Sequence, residues 1–496
     1  MNKYDAVIIG SGLGGLLSGF ILSKEGMKVC ILEQNSQIGG CLQNFTREGC
    51  IFDSGAHYIG GLSEGQNLHQ YFKYFGLIDK LNLKKLDDDC FDLISLGGKD
   101  YKYATGFEQF SETMKNYFPK EKEAIDKYCN KLIEITDSFP LYNLNHISED
   151  ITKSRFLNQS ISGFLDEITT NTTLKNVLAG SNVIYAGIEN KTPLYMHALA
   201  MKGYIDSAWR VVDGSSNIAN IIADSIIQNG GKIFKNSKVV RLASDSNKIK
   251  YAELETGEQF EADNFISNIY PANTLDMINH DSIRKVYRDR INSLENTISV
   301  FSLYIVLKKN TFEYLNYNVY HFNSNNVWTV SSYDTAEWPE GYMLLTPISS
   351  KTNRYADCIT VLTYMKYDEV KKWENSTIGQ RGNEYIEFKN RKAEIMIDSL
   401  EKKFPGIRSK IKSYYTSSPL TYRDYIGTRE GALYGINRDC NETYKYMINP
   451  RTKIPNLFFT GQNINLHGVF GVTIGSVLTC AELLGINYIV DKIRNA

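Results

Sequence analysis

The sequence predicts an α/β protein in which a nucleotide-binding domain with a parallel sheet is interrupted by an inserted α+β domain. Three observations predict this fold class. A glycine-rich turn, Gly10-Ser11-Gly12-Leu13-Gly14-Gly15, lies between an apolar strand and a helix-like segment near the N-terminus. A β-rich block follows at residues 205–275, and a glycine-rich strand–loop–helix pattern closes the chain at residues 457–484. Strands that alternate with helices favour a parallel sheet covered by helices.

The N-terminal turn has the spacing and the context of a dinucleotide-binding fingerprint. Apolar residues 7–9 precede it, a helical pattern follows, and a second apolar strand at residues 29–32 ends in Glu33. Gly12 lets the backbone approach a pyrophosphate, and Gly15 lets the helix pack closely on the strand. The free N–H groups at the start of the helix attract phosphate. Glu33 stands where an acid meets a ribose hydroxyl, so the spacing predicts the adenosine end of a cofactor site.

The C-terminal pattern extends this predicted site. An apolar strand at residues 457–459 runs into Thr460-Gly461-Gln462, and Gly471 with Val472 opens a helix to about residue 484. The positive end of this second helix would stabilise negative charge on a reduced flavin ring. A fold that binds NAD alone does not need such a distant element, whereas the longer FAD does. The prediction is therefore a two-dinucleotide-binding-domain FAD fold, Rossmann-like and of the glutathione-reductase type.

Composition excludes several classes of protein. The 496 residues include 55 basic and 56 acidic ones, and no long basic run argues for nucleic-acid binding. The sequence has no run of about 18 apolar residues, so no transmembrane helix is predicted. The first strand begins too near Met1 for a signal peptide. Eight cysteines without a CxxC pair and seven scattered histidines predict free thiols and no metal site. We expect a cytoplasmic protein. Peripheral contact with a membrane stays open.

Two kinds of local pattern divide the chain. Residues 1–63, 205–275 and 415–496 are predicted to form a discontinuous FAD-binding domain, and residues 64–204 and 276–414 the substrate-binding domain. The first inserted segment is helical in pattern, at residues 68–75, 107–118, 121–138 and within 154–204. The second is rich in Val, Ile, Tyr and Thr, which predicts an antiparallel sheet with strands at residues 299–307, 318–321, 327–331, 343–348 and 358–364, beside a charged helix at 385–403.

Five separated motifs carry a family resemblance over nearly the full length. They are the N-terminal turn with Glu33, Gly39-Gly40, segment 53–60 with its Gly-Ala-His-Tyr-Ile-Gly core, segment 418–435 and segment 460–475. The chain resembles the flavoprotein amine oxidase superfamily and, within it, the phytoene desaturase, carotenoid isomerase and retinol saturase branch. The resemblance implies a non-covalently held FAD and an apolar substrate, a polyene or an unsaturated lipid. Gln462 departs from the wider family, which usually has an acid there against the ribityl chain, but its amide still hydrogen-bonds a hydroxyl.

The resemblance implies redox chemistry at a C=C bond, and reduction of the retinol saturase type is the favoured function. A flavin-dependent cis–trans isomerase or a desaturase on the same fold is the first alternative, and an amine or porphyrinogen-type oxidase is the second. A binding protein similar to the Rab GDP-dissociation inhibitors is a third, against which the complete set of cofactor glycines argues. Only one dinucleotide fingerprint is visible, so we expect electrons from an external reductant such as NAD(P)H.

The candidate catalytic residues are His57, Tyr58 and His467. His57 is a candidate proton donor because imidazole titrates near neutrality, with a hydrogen bond to backbone or cofactor as its other interpretation. The Tyr58 phenol would protonate a carbanion or serve only in packing, and His467 precedes the final helix, where a flavin ring is expected. The predicted cofactor-binding residues are Gly10, Gly12, Leu13, Gly14, Gly15, Glu33, Gln34, Gly39, Gly40, His57, Tyr58, Val239, Val240, Asn268, Gly461, Gln462, Gly471 and Val472.

Overall fold

The computed structural model describes residues 3–146, 156–245, 248–279 and 283–496. Its strands are, in chain order, β1 (Lys3–Ile9), β2 (Val29–Leu32), β3 (Asn44–Arg47), β4 (Cys50–Asp53), β5 (Ile59–Gly60), β6 (Leu83–Lys85), β7 (Asp92–Leu96), β8 (Lys99–Tyr103), β9 (Ala208–Val211), β10 (Lys232–Phe234), β11 (Val239–Asp245), β12 (Lys248–Leu254), β13 (Gln259–Ser267), β14 (Ser299–Leu307), β15 (Asn318–Phe322), β16 (Gly341–Leu345), β17 (Cys358–Met365), β18 (Ile411–Ser417) and β19 (Leu457–Phe459).

The helices are, in the same order, α1 (Leu13–Lys24), α2 (Asn67–Tyr74), α3 (Phe107–Tyr117), α4 (Lys122–Asp137), α5 (Ile161–Ile168), α6 (Thr172–Leu178), α7 (Leu194–Asp206), α8 (Ser216–Gln228), α9 (Pro271–Asp276), α10 (Lys285–Asn292), α11 (Asn383–Lys403), α12 (Ile407–Lys410), α13 (Pro419–Ile426), α14 (Thr443–Tyr446), α15 (Gly468–Leu484) and α16 (Ile486–Arg494). In the part of the chain that the structure describes, no helix has both the length and the apolar composition needed to cross a bilayer.

The first sheet joins strands from distant parts of the chain. Its order is β10-β2-β1-β13-β12-β11, and β19 pairs with the second half of β13. The pairs β10–β2, β2–β1, β1–β13 and β13–β19 are parallel, so their carboxyl ends meet at one edge. Within β1, Ala6 and Ile8 pack toward α1, α8 and α15, while Val7 and Ile9 pack toward α9, α10 and α14. The predicted α/β class with a parallel sheet is confirmed.

The second sheet has the order β18-β14-β17-β16-β15-β7-β8. Its pairs are antiparallel apart from the parallel pair of β15 with β7. Phe301 and Val361 pack on the face that α11 covers. Val300, Tyr320 and Met343 pack on the other face with helices α3 to α7. This second face forms the wall of the site described below.

Two expectations about the inserted segments need correction. Residues 64–204, expected to be helical, also supply β7 and β8, because β7 extends the second sheet beside β15. Residues 327–331, expected to be a strand, form a 3₁₀ turn, because the Asn326 side chain caps it by accepting from the Trp328 N–H at 3.0 Å. Local capping here outweighs the β propensity of Val, Trp and Thr. The domain boundaries stay a prediction, which the membership of the two sheets supports.

A small sheet, β5-β9-β6, contains a buried cation in its middle strand. Arg210 of β9 is 1% exposed. A guanidinium without water is stable only when hydrogen bonds replace its hydration. Its two terminal nitrogens donate at 2.8–3.0 Å to five acceptors, the Tyr314 hydroxyl, the Asn318 Oδ1 and the carbonyls of Leu315, Tyr317 and Thr346. Arg210 therefore ties β9 to the start of β15 and the end of β16 in the second sheet.

Arg210→Met is expected to lower the free energy of unfolding by roughly 3–5 kcal/mol, because five acceptors lose their donor and those on Asn318 and Thr346 are fully buried. Urea denaturation followed by circular dichroism measures the change. The control is Arg241→Met, since the Arg241 side chain is 62% exposed and pairs with Glu253 at 3.5 Å on the surface. That substitution is expected to change the stability by less than about 1 kcal/mol. Equal losses in the two variants would contradict the structural role of Arg210.

Candidate cofactor and active site

A large cleft opens where the carboxyl ends of the parallel strands face the second sheet. Its open space amounts to about 1850 Å³, including the solvent-filled mouth. The residues that follow β1, β2, β13 and β19 line one side, and Val300, Met343 and Leu362 of the second sheet line the other. In open α/β sheets this edge is where ligands bind. The cleft is therefore the candidate site for a cofactor and a substrate together.

Three glycines surround the Asn268 side chain at the sheet end of the cleft. A Cβ atom added to Gly12, Gly14 or Gly461 would lie 2.5–2.6 Å from an Asn268 side-chain atom. A Cβ on Gly14 would also lie 2.7 Å from the Gly461 Cα. The first-turn N–H groups of α1, which have no partner inside the helix, start at this point. These backbone turns form a cradle at the start of α1, where the free N–H groups of the helix suit a pyrophosphate.

Glu33 stabilises this cradle from below. One of its carboxylate oxygens accepts from the Ser11 N–H at 2.9 Å and from the Ser11 hydroxyl at 2.5 Å. The other accepts from the Asn35 N–H at 2.8 Å. The carboxylate is 5% exposed and lines the cleft beside Gln34. The acid predicted to meet a ribose therefore also orders the glycine-rich turn, a role that its spacing did not indicate.

Segment 53–60 is anchored at its start and enters the cleft at His57. Asp53 accepts from the Ser215 N–H and hydroxyl at 2.7 and 2.8 Å, and burial raises the pKa of this carboxyl to about 6. Burial and the nearby Arg210 charge lower the pKa of His57 to about 4. His57 is therefore neutral at physiological pH and does not act there as a cationic acid. Its buried Nδ1 has no hydrogen-bond partner among the described residues, which leaves a polar atom for a ligand.

Tyr58 belongs to a buried network of ionisable groups. Its hydroxyl lies 3.0 Å from Asp92 Oδ2 and 2.6 Å from the Tyr320 hydroxyl, and its ring stacks on Tyr204 at 4.4 Å between centroids. Asn318 donates to the other Asp92 oxygen at 2.8 Å. Burial raises the pKa of Asp92 to about 7, although these hydrogen bonds and Arg210 oppose the rise. Burial raises the pKa of Tyr58 well above its ordinary value. The Tyr58 phenol therefore keeps its proton near neutral pH, whereas Asp92 beside it has a pKa in that range.

His467 lies at the junction of the cleft and a smaller cavity beside it. It is the N-cap residue of α15, and its Nε2 donates to the Ile184 carbonyl at 3.3 Å. Burial and the charge of Arg438 lower its pKa to about 4. Its ring lies against Tyr434, with 4.4 Å between centroids. His467 is thus neutral and held in place, and it lines the smaller cavity instead of the cleft.

The structure brings most of the predicted residues together. Those that line the cleft are Gly10, Gly12, Leu13, Gly14, Glu33, Gln34, Gly39, Gly40, His57, Tyr58, Val239, Asn268, Gly461, Gln462 and Val472. Gly15 packs instead under the turn, where a Cβ would lie 2.1 Å from the Gly10 carbonyl oxygen. Gly471 packs against Leu466 beside the smaller cavity.

The prediction that Val240 binds the cofactor needs correction. Val240 is 41% exposed and lies outside the cleft, whereas Val239 lines it. The pairing register of β11 with β12 shifts between Val239 and Arg241, and Val240 lies at this irregularity on the solvent side.

The sequence reasoning missed Asp92 and Arg210. Each had a signal, since each is a charged residue within a short strand of mostly apolar neighbours. Lysine, glutamate, arginine and aspartate are rarely fully buried without partners. Their partners, however, lie in other parts of the chain: Tyr58 contacts Asp92, Tyr320 contacts Tyr58 in turn, and Asn318 contacts both charged residues. The local pattern contains no information about these contacts.

The deep end of the cleft is uncharged. It is lined by apolar side chains and tyrosines, among them Val183, Ile184, Val300, Met343, Leu362, Tyr364, Leu433 and Tyr434. Among the described residues that line the cleft, only Glu33 is an aspartate, glutamate, lysine or arginine, and it lies at the opposite end. The cleft therefore has a polar end suited to a nucleotide and an apolar end suited to a lipophilic molecule.

The comparisons with known proteins agree with this geometry. Residues 8–75 match the family model described as an NAD(P)-binding Rossmann-like domain. All-trans-retinol 13,14-reductase of Rattus norvegicus is 28% identical over 99% of this chain and 87% of its own length. Prolycopene isomerase 1, chloroplastic, of an Oncidium hybrid cultivar is 23% identical over 99% and 85%. The structure of cyclohexylamine oxidase from Brevibacterium oxydans superposes with a TM-score of 0.61 at 14% identity, over 99% of this chain and all of that one. The predicted family resemblance and the predicted fold are confirmed.

Asp92→Asn is expected to flatten the pH dependence of stability. Because burial raises the pKa of Asp92 to about 7, the folded state binds a proton that the unfolded state releases near pH 4. The wild type should therefore lose stability relative to Asp92→Asn as the pH rises from about 4 to about 7, by roughly 2–4 kcal/mol. Urea unfolding of both proteins across this range measures the difference. The exposed Asp166→Asn variant should follow the wild-type profile, and an Asp92→Asn profile parallel to wild type would contradict the assignment.

Proposed function

We propose that the chain, which resembles the retinol saturase and carotenoid isomerase branch of the flavoprotein amine oxidase superfamily, is an FAD-dependent oxidoreductase that reduces a C=C bond of a lipophilic polyene. The observation that carries the proposal is the uncharged deep end of a cleft whose other end has a glycine cradle. Full-length similarity to a retinol 13,14-reductase supports the reaction class. The reducing equivalents would come from an external donor, and NAD(P)H is the first to test.

The residues of the cleft fit FAD. The Gly12, Gly14 and Gly461 cradle would hold the pyrophosphate, and Glu33 would reach the adenosine ribose. Farther along, His57 Nδ1 and Thr428 Oγ1 are buried atoms without partners in the described chain, as expected where a ligand supplies the missing hydrogen bond. Bound FAD supplies reversible two-electron redox chemistry. The protein supplies position, an apolar environment and a proton.

Tyr58 is the proposed proton donor. Reduction of a C=C bond adds a hydride equivalent at one carbon and a proton at the other. The phenol of Tyr58 keeps its proton at neutral pH because burial raises its pKa, so it is available as an acid. Asp92, which lies 3.0 Å from the same hydroxyl, would return a proton to Tyr58 after transfer. His57 and His467, both neutral, would orient cofactor or substrate by hydrogen bonding.

The competing functions differ in the charge that they require of the cleft. A cationic amine is stabilised by a carboxylate, and the carboxylates of a porphyrinogen by arginine or lysine. The described deep end provides neither. A cis–trans isomerase fits the same apolar cleft, and the similarity to a prolycopene isomerase favours it as the second candidate. Isomerisation consumes no net electrons, so the mass of the product separates the two.

The reaction is tested by anaerobic incubation of dithionite-reduced, FAD-loaded protein with retinoids, carotenoids and unsaturated lipids, followed by mass spectrometry. Saturation is expected to give a product that carries two more hydrogens than the substrate. One flavin should be reoxidised for each product molecule, as the flavin absorbance measures. An unchanged mass with altered retention on chromatography would replace the proposal by isomerisation, and a loss of two hydrogens with oxidised protein would replace it by desaturation. Parallel mixing of oxidised protein with NADH or NADPH tests the donor by bleaching of the flavin band.

Gly12→Leu is expected to abolish FAD retention, because its side chain would enter the cradle within 2.6 Å of Asn268. The ratio of flavin absorbance to protein absorbance after gel filtration measures the loss. Gly203→Ala is the control, since a Cβ there would come no nearer than 3.8 Å to its neighbours. Normal flavin content in Gly12→Leu would show that the cofactor does not use the cradle.

Tyr58→Phe is expected to slow product formation by roughly 10²- to 10⁴-fold while FAD content stays normal, because the proton donor is removed and the ring is kept. The matched control is Tyr71→Phe, which also deletes a buried phenol, one that donates to the Leu141 carbonyl at 2.7 Å outside the cleft. Its rate should remain within about twofold of wild type. A Tyr58→Phe rate equal to that of the control would assign Tyr58 to packing alone.

A further inference from the structure

A second cavity adjoins the cleft and has no part in the function proposed above. Its open space is about 660 Å³, and it lies between α2, α7 and the start of α15. Ile184, Tyr204, Gly468 and Val469 line both spaces. The deep end of the cleft and the second cavity therefore adjoin at these four residues.

The lining of the second cavity matches a hydrophobic chain. Leu68, Met196, Leu199 and Phe470 contribute apolar surface, and no described residue of the lining is an aspartate, a glutamate, a lysine or an arginine. His467, the one histidine there, is neutral because burial and Arg438 lower its pKa. An ionised ligand group would find no compensating charge in this space.

Two polar groups in the lining lie beside each other without a hydrogen bond of ordinary geometry. The Tyr142 hydroxyl and the Asn67 Nδ2 are buried, and Asn67 is near enough to lower the pKa of Tyr142 against the effect of burial. Neither atom has a hydrogen-bond partner of good geometry among the described residues. Tyr142 is 5% exposed, and the Asn67 Oδ1 is already occupied by the Leu68 N–H at 2.5 Å. Most buried polar groups in folded proteins are paired, and an unpaired one costs about 1–3 kcal/mol. Neither residue lines the cleft, so the cofactor is not their missing partner.

We propose that the second cavity binds one end of the substrate, a hydrophobic polyene chain that ends in a single uncharged oxygen group, a hydroxyl or a carbonyl, to which Asn67 and Tyr142 donate. The inference rests on the function proposed above and specifies its substrate. Asn67 Nδ2–H and Tyr142 O–H are both donors here, so one oxygen with two lone pairs satisfies both. Burial raises the pKa of Tyr142 well above its ordinary value, which keeps its proton in place.

The experiment measures equilibrium binding to the FAD-loaded, oxidised protein by the change in absorbance of the added polyene. The probes are all-trans-retinol, the same polyene without the hydroxyl group, and all-trans-retinoic acid. Wild-type protein is expected to bind retinol more tightly than the other two probes. Asn67→Leu and Tyr142→Phe are each expected to weaken retinol binding by roughly three- to tenfold and to leave the hydrocarbon unaffected, since each removes one hydrogen bond. Ala200→Phe, which places a ring in the cavity lining, is expected to weaken both.

Flavin content and melting temperature are recorded for every variant, and Tyr71→Phe serves as the buried-tyrosine control. Retinol affinities of Asn67→Leu and Tyr142→Phe equal to wild type would overturn the inference while product analysis still reports on the proposed function. Equal loss for retinol and for the hydrocarbon would also overturn it, because the donors would then act only on packing. Failure of wild type to bind retinol at all, with FAD present, would overturn the proposed substrate class and this inference together.

Discussion

The site depends on the close approach of two backbone turns that lie some 450 residues apart in the numbering. Gly14 at the start of α1 and Gly461 after β19 leave no room for a Cβ between them, and Asn268 fills the remaining space. The parallel sheet makes this possible because β1, β13 and β19 all end at the same edge. Larger side chains at these positions would separate the turns and move the helix N-terminus away from the phosphates. The position of the cleft, and of everything that lines it, follows from this approach.

Burial sets the protonation states of the site, and one buried cation, Arg210, modifies them. Arg210 lies close enough to His57 to reinforce the effect of burial, so that the imidazole stays neutral. Toward Asp92 the same charge acts against burial, and the carboxyl is left with a pKa of about 7. Burial disfavours the charged form of both groups. It therefore lowers the pKa of the histidine, which is neutral, and raises the pKa of the carboxyl toward neutrality. Arg210 itself is held by five hydrogen bonds to Asn318 of β15 and to the segments that flank β15 and β16, so the electrostatics depend on how the small sheet packs on the second sheet.

The two cavities adjoin at four shared lining residues, beside a place where two backbones approach closely. A Cβ on Gly60 of β5 would lie 2.6 Å from the Gly203 backbone of α7, so the strand that follows Tyr58 packs directly on the helix that carries Tyr204. Tyr58 and Tyr204 then stack at the boundary, and Gly468 and Val469 at the start of α15 complete it. An elongated apolar ligand with one polar end matches this sequence of spaces, from the uncharged deep end of the cleft to the two unpartnered donors.

The sequence by itself determined the nucleotide end of the site, because a strand, a glycine turn, a helix and an acid are specified within thirty or so consecutive residues. The strands at 299–307 and 358–364 were predictable for a similar reason, since β propensity and apolar runs are local. Only the tertiary structure decided that Val239 and not Val240 faces the cleft, and that His467 borders a second cavity. It alone joined Asp92 to Tyr58 and Tyr320, which lie 34 and 228 positions away in the numbering. A pKa depends on burial and on which charges lie nearby, and long-range strand pairing decides both.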